Sequence, residues 1–354
     1  MDETHVRENF KVADFRSDTI TLPDAEMRSA MAEAVVGDDV YGEDETVNRL
    51  EKLIADITGK EAAMFVASGT MGNQVSVMTH TQRGDEIITS VEAHVRKYEA
   101  GAVGILSGAN IITLMETRGI LNCSDIRLAI RTVSMQHPVT RLLCLENATS
   151  TGCVVPLERM AEYRELTAEY GIKIHLDGAR VFNAAFALGV SVDRICQYAD
   201  SVMICISKGL CAPVGSLVAG DGDFIARARK YRKILGGGMR QAGILAAAGI
   251  IAIEKNSARL GEDHENAVRL AKGLKQLGFE IINGKPDINM VFVDTKMEDV
   301  RFEDYLDYLK QNGVLVGSLS QGVVRFVTSR EVTKDDVDLA VWLTGEFFKR
   351  KMDA

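Results

Sequence analysis

One lysine, Lys208, stands in an otherwise nearly uncharged run, MICISKGLCAPVGSLVAG (203–220). An ammonium in apolar surroundings is costly unless it is paired or neutralised, and burial moves it toward a neutral, nucleophilic amine. Asp177 closes the apolar part of IKIHLDGAR (172–180). There a carboxylate caps a helix, pairs with Arg180, or holds a cationic heterocycle nitrogen. Ser68-Gly69-Thr70 follows the apolar EAAMFVA and opens a helical stretch. Amides at such a turn, with two hydroxyls, cup an anion, although Ser and Thr are also ordinary helix caps. YRKILGGGMRQAG (231–243) joins three successive glycines to Arg232, Lys233 and Arg240. The glycines admit close backbone approach, and the same stretch also reads as a loop with solvated charges.

Taken together, these clusters supply an amine, a carboxylate, an anion cup and further cations. That set fits pyridoxal 5′-phosphate, whose aldehyde needs the lysine, whose ring nitrogen needs the carboxylate and whose phosphate needs the cup. No GxxxxGK[ST] loop supports a nucleoside triphosphate, and no HExxH spacing supports a metal centre, so none is expected.

The elements that must position these residues follow from periodicity. TVNRLEKLIADITG has helical spacing and closes on Gly59, and PLERMAEYRELTAEYG is a second amphipathic helix. DEIITS, the runs around 103–114, TRLLCLENA (140–148), IKIHLDGAR and ADSVMICISKG read as strands. Strands alternating with helices predict an α/β fold with a mostly parallel sheet flanked by helices, and ligands in such sheets bind at the carboxyl ends of strands. Residues 222–275 read as largely helical. After about 256 the order becomes helix, INMVFVDT, RFEDYLDYLKQNG, VVRFVTS, helix. The expected division is a large cofactor-binding α/β domain over 24–255 and a small α+β domain over 256–354, with 1–23 packing near the latter.

The chain has 354 residues, a net charge of −9, 46% hydrophobic and 26% charged residues. That is ordinary for a globular protein with ample core, and the acidic balance argues against nucleic acid or an anionic membrane as partner. No apolar run approaches the roughly 20 residues of a membrane span, and the charged MDETHVRENFKVADF lacks a signal-peptide core. Six cysteines form no CxxC pair and fit reduced, buried thiols in a cytoplasmic protein.

Longer stretches resemble a known family. FRSDTITLP (15–23), VGDDVYGEDETVNRLE (36–51), SGTMGNQ (68–74), EAHVRKYEAGA (92–102), IHLDGARVFNAA (174–185), SKGLCAPVGS (207–216) and GGGMRQAGILAAAG (236–249) resemble the low-specificity L-threonine aldolases. These are fold type I pyridoxal-phosphate enzymes related to the β-eliminating lyases. The resemblance implies an aldehyde-lyase that splits threonine or allo-threonine into glycine and acetaldehyde. It implies that Lys208 forms the Schiff base, Asp177 pairs with the pyridine nitrogen, and Ser68, Gly69 and Thr70 hold the phosphate. His94 is implied to stack on the ring, and Ser17, Arg180 and Arg325 to bind the substrate carboxylate. Tyr41, Lys233 and Arg240 are implied to lie near the site, some reaching in from a neighbouring subunit of a homotetramer.

Departures from the family pattern are LENATST (145–151) for LENTHN, VTS (327–329) for VTH, and Cys211 for a glycine. Candidates for the base that takes the hydroxyl proton are His94 and His137, since histidine titrates near neutral pH, or a water held by the phosphate. His137, before a proline, reads equally as a loop residue. His175 reads as packed or capping, not catalytic, and His5, His80 and His264 as peripheral. Rival readings are a β-eliminating lyase or aminotransferase of the same fold, and a non-catalytic cofactor carrier. The presence of both Lys208 and Asp177 argues against the last.

Overall fold

The computed structural model describes residues 12–295, 301–320 and 322–352. His5 lies outside them. The chain forms two compact units, one of Leu22–Ala258 and one that joins the residues up to Thr21 with Arg259 onward.

In the second of these, β1 (Ala13–Phe15) adds to a sheet formed otherwise from late in the chain. The larger unit then supplies α1 (Ala25–Ala32), α2 (Glu45–Thr58), β2 (Ala62–Val66), α3 (Gly69–His80), β3 (Glu86–Ser90), α4 (His94–Lys97) and β4 (Asn110–Leu114). A short hairpin of β5 (Glu116–Thr117) and β6 (Ile120–Leu121), α5 (Cys123–Ala129), β7 (Thr140–Glu146) and α6 (Leu157–Tyr170) follow. Then come β8 (Lys173–Asp177), α7 (Val181–Leu188), α8 (Val192–Cys196), β9 (Ser201–Cys205), β10 (Ser216–Gly220), α9 (Gly222–Ile234) and α10 (Gly243–Glu254).

The large sheet has the order β2-β10-β9-β8-β7-β3-β4. Strands β4, β3, β7, β8 and β9 pair in parallel, and β10 is antiparallel to both β9 and β2. Six strands therefore run one way. Strands β3, β9 and β10 are buried throughout, as a sheet covered on both faces requires. Helix limits follow local chemistry. Asp44 caps α2 by accepting the Val47 N–H, and Gly59 ends it at φ +66°, a conformation that costs other residues more. Helices α3 and α9 cover one face through Val75, Phe224, Ile225 and Ala228 against Met64, Val66, Met203 and Val218. Val103–Ser107 forms a wide helical turn ended by Gly108 at φ +63°, so the expected strand in 103–114 begins only at Asn110.

In the smaller unit, α11 (Leu260–Gln276), β11 (Glu280–Ile281), β12 (Met290–Asp294), α12 (Phe302–Gln311), β13 (Val314–Ser320), β14 (Val323–Val327) and α13 (Lys334–Met352) complete the chain. Its sheet order is β1-β13-β14-β12-β11, with β1 parallel to β13 and the rest antiparallel. Phe15, Leu270, Tyr305, Phe326, Phe347 and Phe348 fill its core. Among the described residues no helix is long and apolar enough to cross a membrane.

Candidate functional site

The carboxyl ends of six strands share one edge of the large sheet, and β10, running the other way, begins there. Ser68 follows β2, His94 follows β3, Glu146 ends β7, Asp177 ends β8, Lys208 follows β9 and Ser216 opens β10. Glu146 and Asp177 are register partners.

A hydrogen-bonded network fixes this edge. Asn73, on α3, donates from Nδ2 to Asp177 Oδ2 at 2.8 Å and to Glu99 Oε1 at 2.7 Å. The Ala179 N–H donates to Asp177 Oδ1 at 3.0 Å. Glu99, its side chain fully buried, also accepts from Gln74 Nε2 at 2.6 Å and meets His94 Nδ1 at 2.8 Å. That bond to Glu99 raises the His94 pKa above its ordinary value, burial opposes the rise, and the Asp177 carboxylate adds to it while Lys208 opposes it. One side-chain nitrogen or oxygen from each of His94, Glu99 and Asp177 lies within 4.8 Å of the others. Glu146 Oε1 accepts the His94 N–H at 2.6 Å, and Ser150 donates to Glu146 from its N–H at 2.6 Å and its Oγ at 3.1 Å. Burial, reinforced by Asp177, pushes Glu146 up to about 7.

Behind Asn73, His175 Nε2 meets its Oδ1 at 3.1 Å, and His175 Nδ1 meets Ser201 Oγ at 2.8 Å. His80 Nε2 meets the same hydroxyl at 2.8 Å. Burial lowers His175 to about 4 and His80 to about 3, so both are neutral near pH 7. His175 is packed, as expected. His80 is not peripheral: it stacks on Phe224 and ends a polar chain leading to Asp177.

The start of α3 is a helix terminus at the same edge. Ser68 Oγ accepts the Met71 N–H at 3.1 Å, an ordinary cap, and the earlier amides of Gly69 and Thr70 precede the helical bonding pattern. Ser216 Oγ is buried with no hydrogen-bond partner among the described residues, and it lies 3.6 Å from where a Cβ on Gly69 would sit. Anion-seeking amides, an unspent hydroxyl, a carboxylate held by two donors and a strand-end lysine together fit pyridoxal 5′-phosphate.

Arg180 is half-buried at the start of α7, three residues beyond Asp177. Lys233 is exposed near the end of α9, where its Cδ lies 3.0 Å from a Cβ position on Gly238. Arg240 pairs with Asp38 at 2.9 Å, and its carbonyl accepts the Asp39 N–H. Tyr41, beside them in sequence, is 77% exposed. Arg232 is instead buried between Asp39 and the Phe65 carbonyl, a structural role. In the smaller unit, Arg325 donates to the Arg16 carbonyl at 2.9 Å, next to Ser17, whose Oγ accepts the Thr19 N–H. His137 is not brought to the other candidates within its own chain. It is exposed in the loop entering β7, and β7 is about 20 Å long, so His137 and Glu146 lie toward opposite edges.

The departures have local consequences. Ser150 serves Glu146, while Thr149 is buried, bonding to Cys153, with its Cγ2 2.5 Å from a Cβ position on Gly119. Cys211 sits at φ +67°, which costs a non-glycine residue roughly 1 kcal/mol, and its N–H donates to the Lys208 carbonyl at 2.9 Å. Ser329 is buried in the smaller unit. Sequence reasoning passed over Glu146, Glu99, Asn73 and Ser216. Glu146 was reachable, since it ends a recognised strand. Glu99, Asn73 and Ser216 lie inside motifs without a spacing signal of their own.

The sequence profile of the family described as Beta-eliminating lyase matches residues 14–298. "Probable low-specificity L-threonine aldolase 2" of Arabidopsis thaliana is 46% identical over 337 residues, covering 93% of this chain and 95% of that protein. "Low specificity L-threonine aldolase" of Escherichia coli K12 is 42% identical over 325 residues, covering 92% of this chain and 96% of that protein. The structure of the Leishmania major threonine aldolase superposes with a TM-score of 0.81 at 19% identity, covering 95% of this chain and 99% of that one.

Proposed function

Because this chain belongs to the β-eliminating lyase family, we propose that it is an aldehyde-lyase dependent on pyridoxal 5′-phosphate. On this reading it cleaves L-threonine and L-allo-threonine between Cα and Cβ, giving glycine and acetaldehyde. The observation that carries the reading is one sheet edge that gathers Asp177, Glu146, His94 and the start of α3, with Lys208 closing the next strand. When bound, the cofactor supplies an electron sink for the bond broken at Cα.

The chain's residues do the rest. Lys208 would supply the amine that holds the group's aldehyde end. Asp177, oriented by Asn73 and the Ala179 N–H, holds a proton at the ring nitrogen. His94 would cover the ring, as the resemblance implies; with Nδ1 committed to Glu99, its Nε2 is left to take the β-hydroxyl proton. Glu146 steadies the His94 turn through the backbone N–H. Ser68, Gly69 and Thr70 hold the phosphate. Arg180 binds the substrate carboxylate, which a guanidinium grips bidentately; the same role for Ser17 and Arg325 rests on the resemblance alone.

The reading extends to a cytoplasmic homotetramer in threonine breakdown and glycine formation. Six free cysteines, five of them buried, support a reducing compartment. Exposed Val35, Val36, Val40, Tyr41, Ile234 and Ile244 support self-association, with Tyr41, Lys233 and Arg240 serving a neighbouring copy's site. The test is acetaldehyde release from each threonine epimer, followed through a coupled reductase, with glycine measured alongside. Equal amounts of both products are expected. Keto acid and ammonia would turn the assignment to β-elimination.

A further inference from the structure

Ser216 opens β10, flanked by Val66 of β2 and Cys205 of β9. Directly paired residues share a face of the sheet, and Val66, Cys205 and Val218 all belong to the core beneath α3 and α9. The Ser216 side chain therefore points to the α3 face, under the turn that leads from β2 into that helix. Its neighbours there are apolar, and alanine or cysteine would pack as well. Yet the position carries a hydroxyl that is fully buried and makes no hydrogen bond to any described residue. A buried hydroxyl left unpaired is destabilising, so the folded chain bears a cost at this position that packing does not explain. The hydroxyl lies 3.6 Å from a Cβ position on Gly69, the first residue of α3, where amides favour an anion.

We propose that Ser216 is a phosphate-binding residue of the cofactor site, its hydroxyl donating to a phosphate oxygen seated at the start of α3. The proposal rests on the pyridoxal-phosphate reading above and adds a donor to Ser68, Gly69 and Thr70. A neutral hydroxyl brings one charge-assisted hydrogen bond without adding charge.

The test compares pyridoxal 5′-phosphate with pyridoxal, which lacks the phosphate, on cofactor-stripped protein. Dissociation constants are read from absorbance and intrinsic fluorescence. In Ser216→Ala, affinity for pyridoxal 5′-phosphate should fall by roughly tenfold or more while that for pyridoxal is unchanged. The cofactor-free variant should melt at the wild-type temperature or above it, because the lost hydroxyl had no partner. Ser216→Cys, which keeps the volume with a weak donor, should reproduce the affinity loss. Equal weakening of both ligands, or an unchanged affinity for the phosphorylated one, overturns the proposal. Failure of the wild-type protein to bind pyridoxal 5′-phosphate at all would instead overturn the cofactor reading, and the proposal with it.

Discussion

Lys208 and His94 carry the sharpest expectations for single residues. Lys208→Ala should lose the covalent absorbance band of bound pyridoxal 5′-phosphate and all measurable turnover; a variant that keeps turnover would remove the lysine from the reaction. His94 is held by Glu99, and that bond keeps its proton on to higher pH than in a free imidazole. A proton acceptor must be neutral, so kcat/KM should rise with pH along a limb lying above 6.5. Glu99→Gln should move that limb to lower pH; a limb that stays in place would separate His94 from the proton step. Glu146 behaves in the opposite sense to a salt-bridged carboxylate. Its folded pKa, about 7, lies above the ordinary value, so between roughly pH 4.3 and 7 the folded chain holds more protons than the unfolded one. Stability from this group is therefore present at low pH and is lost as pH rises toward 7. In Glu146→Gln that decline should shrink, read as melting temperature against pH.

Elements decide whether these groups meet. The turn after β8 is tight because the Gly178 N–H donates to the Met203 carbonyl of β9 at 2.7 Å. A Cβ on Gly178 would lie 2.8 Å from that backbone oxygen, which cannot swing aside as a side-chain tip can. Gly178→Ala should therefore cost about 1–3 kcal/mol by chemical denaturation and disturb Asp177, one residue earlier. Its cofactor affinity should fall too; wild-type stability in this variant would mean the two strands separate more easily than their packing implies. Helix α3 is the other decisive element. Its first turn carries the proposed phosphate-binding residues, and Asn73, one turn further on, reaches both Asp177 and Glu99. The DGAR and SGTMGNQ motifs are thus joined by one side-chain amide, although 104 residues separate Asn73 from Asp177.

For the whole chain, self-association is the open expectation. Light scattering should give a particle mass several times that of one chain, and charged replacements at Val36 and Ile244 should reduce it; a monomer with full activity would place Tyr41, Lys233 and Arg240 outside the site. Most of the order of strands and helices in the larger unit was legible in the sequence, because period-2 and period-3.6 patterns are local and strand-end turns bear polar residues; β10 and the β5–β6 hairpin were not. Also legible was the placement of Lys208, Asp177 and Ser68 at or just beyond strand ends, each a polar residue closing or following an apolar run. The family was legible through motifs spread along the chain. Pairing was not. That β1 lies beside β13, with Ala13 paired to Val314, depends on contacts that no local pattern records. His137 and Glu146 sit nine residues apart in sequence, yet a fully extended strand carries them to opposite edges. Glu99 is an unremarked glutamate in sequence, and burial beside Asn73, Gln74 and His94 makes it the partner that sets an imidazole's protonation. The sequence by itself determined which residue types end which strands; only the tertiary structure decided which of them share a hydrogen bond. Desolvation and charge act through distances of a few ångströms, and those distances are set by the fold.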